Sequence, residues 1–430
     1  MLFHSSILLS LGTPRDHDCK LYEGGCLIRH FLAYGHADQT FFRGQTNLYD
    51  GLTIPGTVAA FYQQGAGGFV LAQRKPYFID PRTPVFQGKF DRKRIRKSHL
   101  ALAEIHGAVV QEQVLRGPID PTTLTDGQRR GMTEAMLQFQ ETFAQESTQK
   151  IDKYLKLIGQ ADAEGQFASP VWLVPPYFYD EDIRGTKYQV SLRIARLALE
   201  LVDAERMHPV ACVLRSALSS SDGVDNLIID YTPFAQTILF PSKFDETEAS
   251  QQELQGFWRL VKELSQRNRP PFMLYGGYFS ILASHVGLEG LSHGIGYGES
   301  RDALSPRSGP APERFYIPAL HRFFPVAEAQ VLLRQDRTNR GIFQCACVSC
   351  EAARAAGRGA LDRRTRGEIF VHFLQVRHNE ISDLLQYPLH DHVTGLRDIY
   401  GYATTIAPAL ADNLAYLERW ANAIDTAEKE

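Results

Sequence analysis

The chain has 430 residues, 44% of them apolar, with 25 Phe and 18 Tyr, which is enough to bury one large α/β core or two smaller ones. Lys and Arg number 46 against 49 Asp and Glu, a net charge of −3, so a nucleic-acid partner has to be held by local basic patches rather than by an overall positive field. Six cysteines, three of them clustered, fit a reducing compartment better than a disulfide framework, and no apolar run approaches membrane length; the expectation is a soluble, cytoplasmic protein without a membrane partner.

In chain order, the N-terminal apolar run lacks a basic flank and reads as a first strand rather than a signal peptide, and Cys19 and Cys26 read as spare thiols. Glycines 24, 25, 44, 51 and 56 punctuate short segments. A short helix over 57–64, a strand over 69–73 and a strand over Tyr77–Asp80 follow, the last ended by Pro-Arg-Thr-Pro. A basic run comes next: Lys89, Arg92, Lys93, Arg94, Arg96 and Lys97. Residues 98–168 read as mostly helical, with Thr125 and Asp126 as an N-cap pair and Met132, Met136, Phe139 and Phe143 forming an apolar stripe of the kind that packs a core.

Beyond residue 170, short apolar runs alternate with amphipathic helices. The runs cover 171–174, 209–214, 226–230, 271–275, 291–297 and 314–317; helices are expected around 187–204, 247–266, 279–287 and 325–335. Continuous apolar strands separated by helices predict a parallel sheet covered by helices. A (β/α)8 TIM-like barrel is the economical closure, since it leaves no edges, with a doubly wound open sheet as the alternative. No G-x-G-x-x-G follows the first strand to support a dinucleotide fold. Residues 303–311 read as a loop and the last 40 as helical. The expected division is a barrel over 1–340, carrying the helical insertion, and a zinc-binding, helical subdomain over 341–430.

Two groups of residues carry chemistry. Cys345, Cys347 and Cys350 form a C-x-C-x-x-C turn, in which a tight turn brings several sulfurs about one metal; with one imidazole they make a closed, four-coordinate set suited to a structural Zn²⁺. His378, on a predicted helix, is the preferred fourth ligand; His372 on the same helix, and His390 and His392 beyond it, are the alternatives. The second group lies at predicted strand ends, where a barrel keeps its reactive residues: Asp80, Asp230, the Gly276-Gly277 turn, and the loop Gly294, Gly296, Gly298, Glu299. Taken singly, each aspartate serves as a cap or turn residue more often than as a catalyst; two at strand ends beside glycine-rich loops make a catalytic pair an even alternative. Glu299 either faces a ligand or caps the following helix.

These stretches, in this order, resemble the tRNA-guanine transglycosylase superfamily. The cysteine turn with a helical His-Asn is similar to its zinc element. Ile79-Asp80-Pro-Arg-Thr-Pro-Val-Phe86-Gln87 resembles its Asp-Ser-Gly-Gly-Phe-Gln stretch, two residues longer and without the glycines. Asp230-Tyr-Thr-Pro-Phe234 resembles Asp-Glu-Cys-Thr-Pro-Phe less one residue, Tyr275-Gly-Gly-Tyr-Phe279 resembles Gln-Gly-Gly-Val-Phe, and Gly294-Ile-Gly-Tyr-Gly298-Glu299 resembles Gly-Leu-Ala-Val-Gly-Glu. The resemblance covers about residues 65–90 and 225–385. The long segment between Asp80 and Asp230 departs from it, and the family's late nucleophilic aspartate has no counterpart except Asp336, in a stretch that reads as a helix end or loop.

The resemblance implies a barrel enzyme that exchanges guanine for a 7-deazaguanine base. The departures point to the branch that modifies DNA, for example with 7-cyano-7-deazaguanine; tRNA as substrate and a non-catalytic, zinc-containing nucleic-acid-binding homologue are the alternatives. It further implies Asp80 and Asp230 as the acidic pair, and a purine held by Phe86, Gly276, Gly277, Gly294, Gly296, Gly298 and Glu299. Phosphates would be held by the Lys89–Lys97 run and by Arg363, Arg364 and Arg366. A structural Zn²⁺, a homodimer and helper proteins that open the duplex complete the implied picture.

Overall fold

The computed structural model describes residues 28–35, 39–89, 95–145, 169–295, 298–305, 313–384 and 386–429. The expected N-terminal strand, Cys19, Cys26, Arg92, Lys93, Arg94, Gly296 and the distal part of the helical insertion lie outside them.

Seven parallel strands form one curled sheet: β1 (Arg29–Ala33), β2 (Gly51–Pro55), β3 (Tyr77–Asp80), β4 (Val210–Leu214), β5 (Ile238–Ser242), β6 (Phe272–Leu274) and β7 (Gly290–His293). Their spatial order is β3-β2-β1-β7-β6-β5-β4, with β1 bonded to β7, which is a barrel order and not a doubly wound one. The gap between β3 and β4 is spanned by a single extended segment. Val171 donates to the Tyr77 carbonyl (2.8 Å), Leu173 donates to that of Arg206 (2.7 Å), and His208 donates back to Leu173 (3.0 Å), with parallel bridges Phe78 to Trp172 and Leu173 to Met207. Residues 171–173 thus occupy the eighth position of a (β/α)8 TIM-like barrel.

Alternation along the strands sorts side chains into two layers. Phe31, Phe78, Trp172, Phe240, Phe272 and Leu274 point inward; Leu32, Ile79, Leu239, Met273 and Leu291 pack outward against the helices. Trp172 lies parallel to Phe31 (5.7 Å between centroids) and meets Phe272 edge-on (4.9 Å), so the barrel floor is an aromatic plug rather than a pore.

The helices are α1 (Gln39–Gly44), α2 (Gly56–Phe61), α3 (Gln63–Gln73), α4 (Lys97–Ile105), α5 (Ala108–Arg116), α6 (Asp126–Thr142), α7 (Thr186–Leu199), α8 (Ser221–Tyr231), α9 (Gln251–Gln266), α10 (Tyr278–Leu282), α11 (Val326–Arg337), α12 (Val348–Ala355), α13 (Arg366–Leu384), α14 (Leu389–Ile406) and α15 (Tyr416–Ala427). Helices α4–α6 are the described part of the insertion; Thr125 and Gln128 close a reciprocal capping box at the start of α6. None of the described helices is long and apolar enough to cross a membrane.

Two expected strands are corrected, and a third is a strand but lies outside the barrel. Residues 69–73 belong to α3, whose buried Ala66, Phe69 and Val70 follow the helical period. Residues 226–230 belong to α8: Ser220 caps it by accepting from the Gly223 amide, and Val224, Leu227, Ile228 and Tyr231 recur at helical spacing on its buried face. The barrel strand that follows is β5. Finally β8 (Arg314–Ile317) pairs antiparallel with β9 (Arg322–Pro325) as a separate hairpin outside the barrel.

After β7 the chain leaves the barrel through this hairpin, α11, the cysteine turn and α12, and returns on α13. That helix packs over the outer face of β7: Phe373 meets the His293 ring at 5.2 Å, and the Arg377 guanidinium, buried, lies over the Tyr316 and Phe373 rings. The cysteine turn is therefore hung between the last barrel strand and the helix that covers it.

Candidate metal centre and barrel mouth

Cys345 ends the loop after α11, Cys347 is the N-cap of α12, and Cys350 sits in its first turn. His372 lies on α13, and the donor atoms of these four residues are all within 4.8 Å of one another. The fourth donor is His372 and not the expected His378. Six residues apart on a helix, the two rings point to different faces: His372 Nδ1 is 3.2 Å from Cys350 Sγ and 3.4 Å from Cys347 Sγ, while His378 lies near the charges of His30 and Asp50. His390 and His392 are on α14.

The surroundings fit a metal. His372 Nε2 bonds the Tyr316 carbonyl (2.8 Å), which fixes that nitrogen as the donor and leaves Nδ1 free to ligate; the ring also stacks on Phe315 (4.4 Å). Backbone amides of Cys347 and Cys350 point at the sulfurs of Cys345 and Cys347 (3.4 Å each), and Arg364 Nη1 donates to Cys350 Sγ (3.0 Å). Donors aimed at sulfur favour thiolates, and three thiolates with one imidazole form a group that can hold an ion such as zinc. Asp336, shortly before the cysteines, is fully buried on α11. It accepts from the Phe343 amide (2.9 Å), Gln344 Nε2 (3.1 Å) and the Tyr402 hydroxyl (2.9 Å), so it anchors the loop that leads into the cysteines.

At the C-terminal mouth of the barrel, Asp80 ends β3 two residues after Phe78 and so shares its inward face. Fully buried, it accepts from the Tyr177 hydroxyl (2.6 Å) and the Arg82 amide (3.1 Å), with the Tyr275 hydroxyl at 3.5 Å and Arg82 Nη1 at 3.9 Å. Burial and the neighbouring Asp80 push the Tyr177 hydroxyl well above its ordinary range, so it remains a donor. Cys212, inward on β4, is likewise held well above a thiol's ordinary value by burial and then by Asp80.

Beside this group opens a cavity of about 470 Å³ whose wall includes Lys243, Asp245, Gly298, Glu299, Arg301 and Asp302, from the loops after β5 and β7. Burial raises the Glu299 carboxyl to about 8 against the opposing pull of Arg377, with which it pairs. Glu299 thus both lines the cavity and ties it to α13.

Other expected site residues are placed differently. Asp230 is on α8, half-buried, and accepts from the Tyr188 hydroxyl (3.1 Å), away from the inward face that carries Asp80. Phe86 is packed into the core of the helical insertion, edge-on to His106. The amide of Gly277, expected to meet a purine, donates instead to buried Glu246 (2.8 Å), as do the amides of Phe279 (2.8 Å) and Ser280 (3.2 Å). A Cβ on Gly277 would lie 2.7 Å from that carboxylate, so the glycine serves the fit of Glu246. Gly276 bonds the Ser292 carbonyl, and the Gly294 amide donates to the Gly298 carbonyl (3.3 Å), closing the β7 loop. Arg96 is the N-cap of α4 and Lys97 its first residue, while Lys89 is exposed after the turn that follows Phe86.

Glu246, Arg82, Tyr177, Tyr275 and Arg301 were not singled out by the sequence. The signal for Arg82 and Tyr275 was that each lies within two residues of a strand's C-terminal end. Comparison with family models, with curated proteins and with solved structures returns no match.

Proposed function

We propose that the protein is a transglycosylase that exchanges guanine in DNA for a 7-deazaguanine base. The observation that carries this reading is Asp80: a carboxylate presented on the inner face at the mouth of a (β/α)8 barrel, above an aromatic floor and beside an open cavity, where barrel enzymes keep their reactive groups. The ordered resemblance of the Asp80, Gly276-Gly277 and Gly294–Glu299 stretches to the transglycosylases supports it, as does the Cys3His group formed by the cysteine turn and α13.

In this reading Asp80 is the carboxylate that faces C1′ of the target nucleoside, and it is steered by Tyr177 and the Arg82 amide. Base exchange also needs a proton donor for the departing guanine. Asp230 does not face the mouth. Glu299, whose carboxyl is pushed up to about 8 by burial against the pull of Arg377, lines the cavity and replaces it in the proposed pair. The target base has to leave the helix stack to reach either group. The metal, read as a structural Zn²⁺, orders the turn between β7 and α13 and takes no part in the chemistry.

The test is incorporation of radiolabelled guanine into polymer, with duplex DNA, single-stranded DNA and tRNA offered separately. Label in DNA that depends on Asp80 is expected. Label in tRNA alone reassigns the substrate, and label in none of the three overturns the reading.

A further inference from the structure

At the barrel mouth two arginines lie beside a single buried carboxylate, although the cavity wall as a whole carries as many acids as bases. Arg82 is 2% exposed and its single ion pair among the described residues is a long one, 3.9 Å to Asp80. Its Nη1 donates to the Tyr275 hydroxyl (3.3 Å), and its Nη2 is buried with no hydrogen-bond partner. Arg301, on the cavity wall, donates to the same hydroxyl (3.1 Å) and lies over the Tyr275 ring, with no carboxylate paired to it among the described residues. Two guanidiniums thus converge on one tyrosine with one carboxylate between them. A buried donor without a partner is costly, and a guanidinium more so, unless something else accepts from it.

The backbone is also bent to produce this arrangement. Arg82 (φ 56°), Lys243 (φ 63°) and Tyr275 (φ 62°) all adopt the left-handed conformation, each within two residues of the C-terminal end of a barrel strand. Non-glycine residues held there store strain, and strain of this kind gathers at ligand sites. Tyr275 and Arg301 come from the loops after the last two strands of the barrel, the region in which barrels commonly bind phosphate. The other anion-binding element there, the start of α10, is already filled by the protein's own Glu246. Arg82, Tyr275 and Arg301 are what remain.

We propose that Arg82, Tyr275 and Arg301 form a binding site for a phosphate group, and that it holds the phosphodiester next to the nucleotide on which Asp80 acts. The planar forks of the two arginines match phosphate oxygens in pairs, and the Tyr275 hydroxyl sets their spacing. Lys243, on the same wall, is already paired with Asp302 (3.5 Å) and is not part of the site. Identifying the phosphate as part of a nucleotide rests on the transglycosylase reading; the presence of a phosphate site does not.

Calorimetry with the whole protein separates the two. The probes are inorganic phosphate, 2′-deoxyguanosine, its 5′-monophosphate and a short single-stranded oligodeoxynucleotide. The monophosphate is expected to bind at least roughly tenfold tighter than the nucleoside, a difference of about 1.4 kcal/mol. Arg301→Gln should abolish that preference and weaken the oligonucleotide, Arg301→Lys should restore part of it, and Arg267→Gln, at the opposite end of the barrel, should leave it intact. Melting curves of each variant show whether it is folded; Arg301 is used in preference to Arg82 because it is partly exposed. Equal affinity for nucleoside and monophosphate, a preference that survives Arg301→Gln, or no binding of any phosphate-bearing probe overturns the proposal. Inorganic phosphate binding as tightly as the monophosphate, with no gain for the oligonucleotide, would keep the phosphate site and discard the nucleotide, and with it this support for a nucleic-acid substrate.

Discussion

The metal group and the barrel mouth solve the same problem, holding several polar side chains together inside a protein, in opposite ways. Three of the four metal donors lie within six residues, on one turn and the helix it starts, and only His372 comes from elsewhere. The mouth takes Asp80 and Arg82 from β3 and its loop, Cys212 from β4, Tyr275 from the end of β6 and Arg301 beyond β7, so its geometry exists only when the barrel is closed. A local site is fixed by chain geometry and could be held by one ion; a distributed site depends on the whole fold. Loss of the ion should therefore be felt first as stability, and loss of a mouth residue first as chemistry.

The largest expected effect is at the metal. Structural zinc contributes apparent binding energies on the order of 10–16 kcal/mol in small zinc-dependent domains. Cys350→Ser and His372→Ala should each lose bound metal and lower the melting temperature together, whereas His378→Ala should keep the metal. Metal analysis with thermal melting checks this; metal retained in His372→Ala and lost in His378→Ala would reverse the ligand assignment. Next is Asp80→Asn, which keeps the size of the side chain and its ability to accept from Tyr177. Its expected outcome is a fall in guanine exchange of about 10²–10⁴-fold, together with a lower melting temperature, because the one carboxylate facing the buried Arg82 loses its charge. A large loss of stability with unchanged exchange would make Asp80 a structural residue.

How far the sequence reached follows the same division. The cysteine turn was legible because its spacing is itself the geometry. Its histidine was not: His372 and His378 share a helix, and spacing alone does not say which face meets the turn. The apolar setting of His372, between Phe370 and Phe373, was the available sign. The barrel was legible from alternating apolar runs and helices, including the run at 171–174 that closes it. The run at 226–230 was misread because a short apolar segment fits a buried strand and a helix face equally well. The true strand, β5, carries Pro241 as its fourth of five residues, which argues against a strand in sequence. With that strand displaced, Asp230 was placed at a strand end it does not occupy. The mouth's arginines and tyrosines stayed hidden because their partners lie far away in sequence.

Acid should strain the barrel and its helical insertion in a way that owes nothing to the metal. His30, His106, His208 and His293 are buried, and burial lowers all four, His106 and His293 to about 3 and His208 to about 4. Below about pH 6.5 the unfolded chain takes up protons that the folded one refuses. Stability is therefore full above that pH and falls as the pH drops towards the folded values, by about 1.4 kcal/mol per pH unit for each histidine. Because thiolates also protonate in acid, the clean readout is a difference: His106→Leu, remote from the cysteines, should flatten the slope of unfolding free energy below pH 6.5 by about one proton's worth. An unchanged slope would show that His106 takes up its proton in the folded state.

The smallest effect expected is the most discriminating for the mouth. Asp230 and Asp80 looked alike in sequence, each an acid after three apolar residues, and the structure separates them: one on α8 with a single tyrosine partner, the other on the inner face of the barrel with several donors. An asparagine at 230 still accepts from the Tyr188 hydroxyl, and burial already raises the Asp230 carboxyl, so removing its charge costs little. Asp230→Asn should therefore change exchange activity by less than about threefold and unfolding free energy by less than about 1 kcal/mol. Were Asp230→Asn instead to match Asp80→Asn in lost activity at full stability, an acid on the outer helix layer would be acting in the chemistry. The reacting base would then lie away from the barrel mouth, and the phosphate site at Arg82 and Arg301 would have no nucleotide beside it.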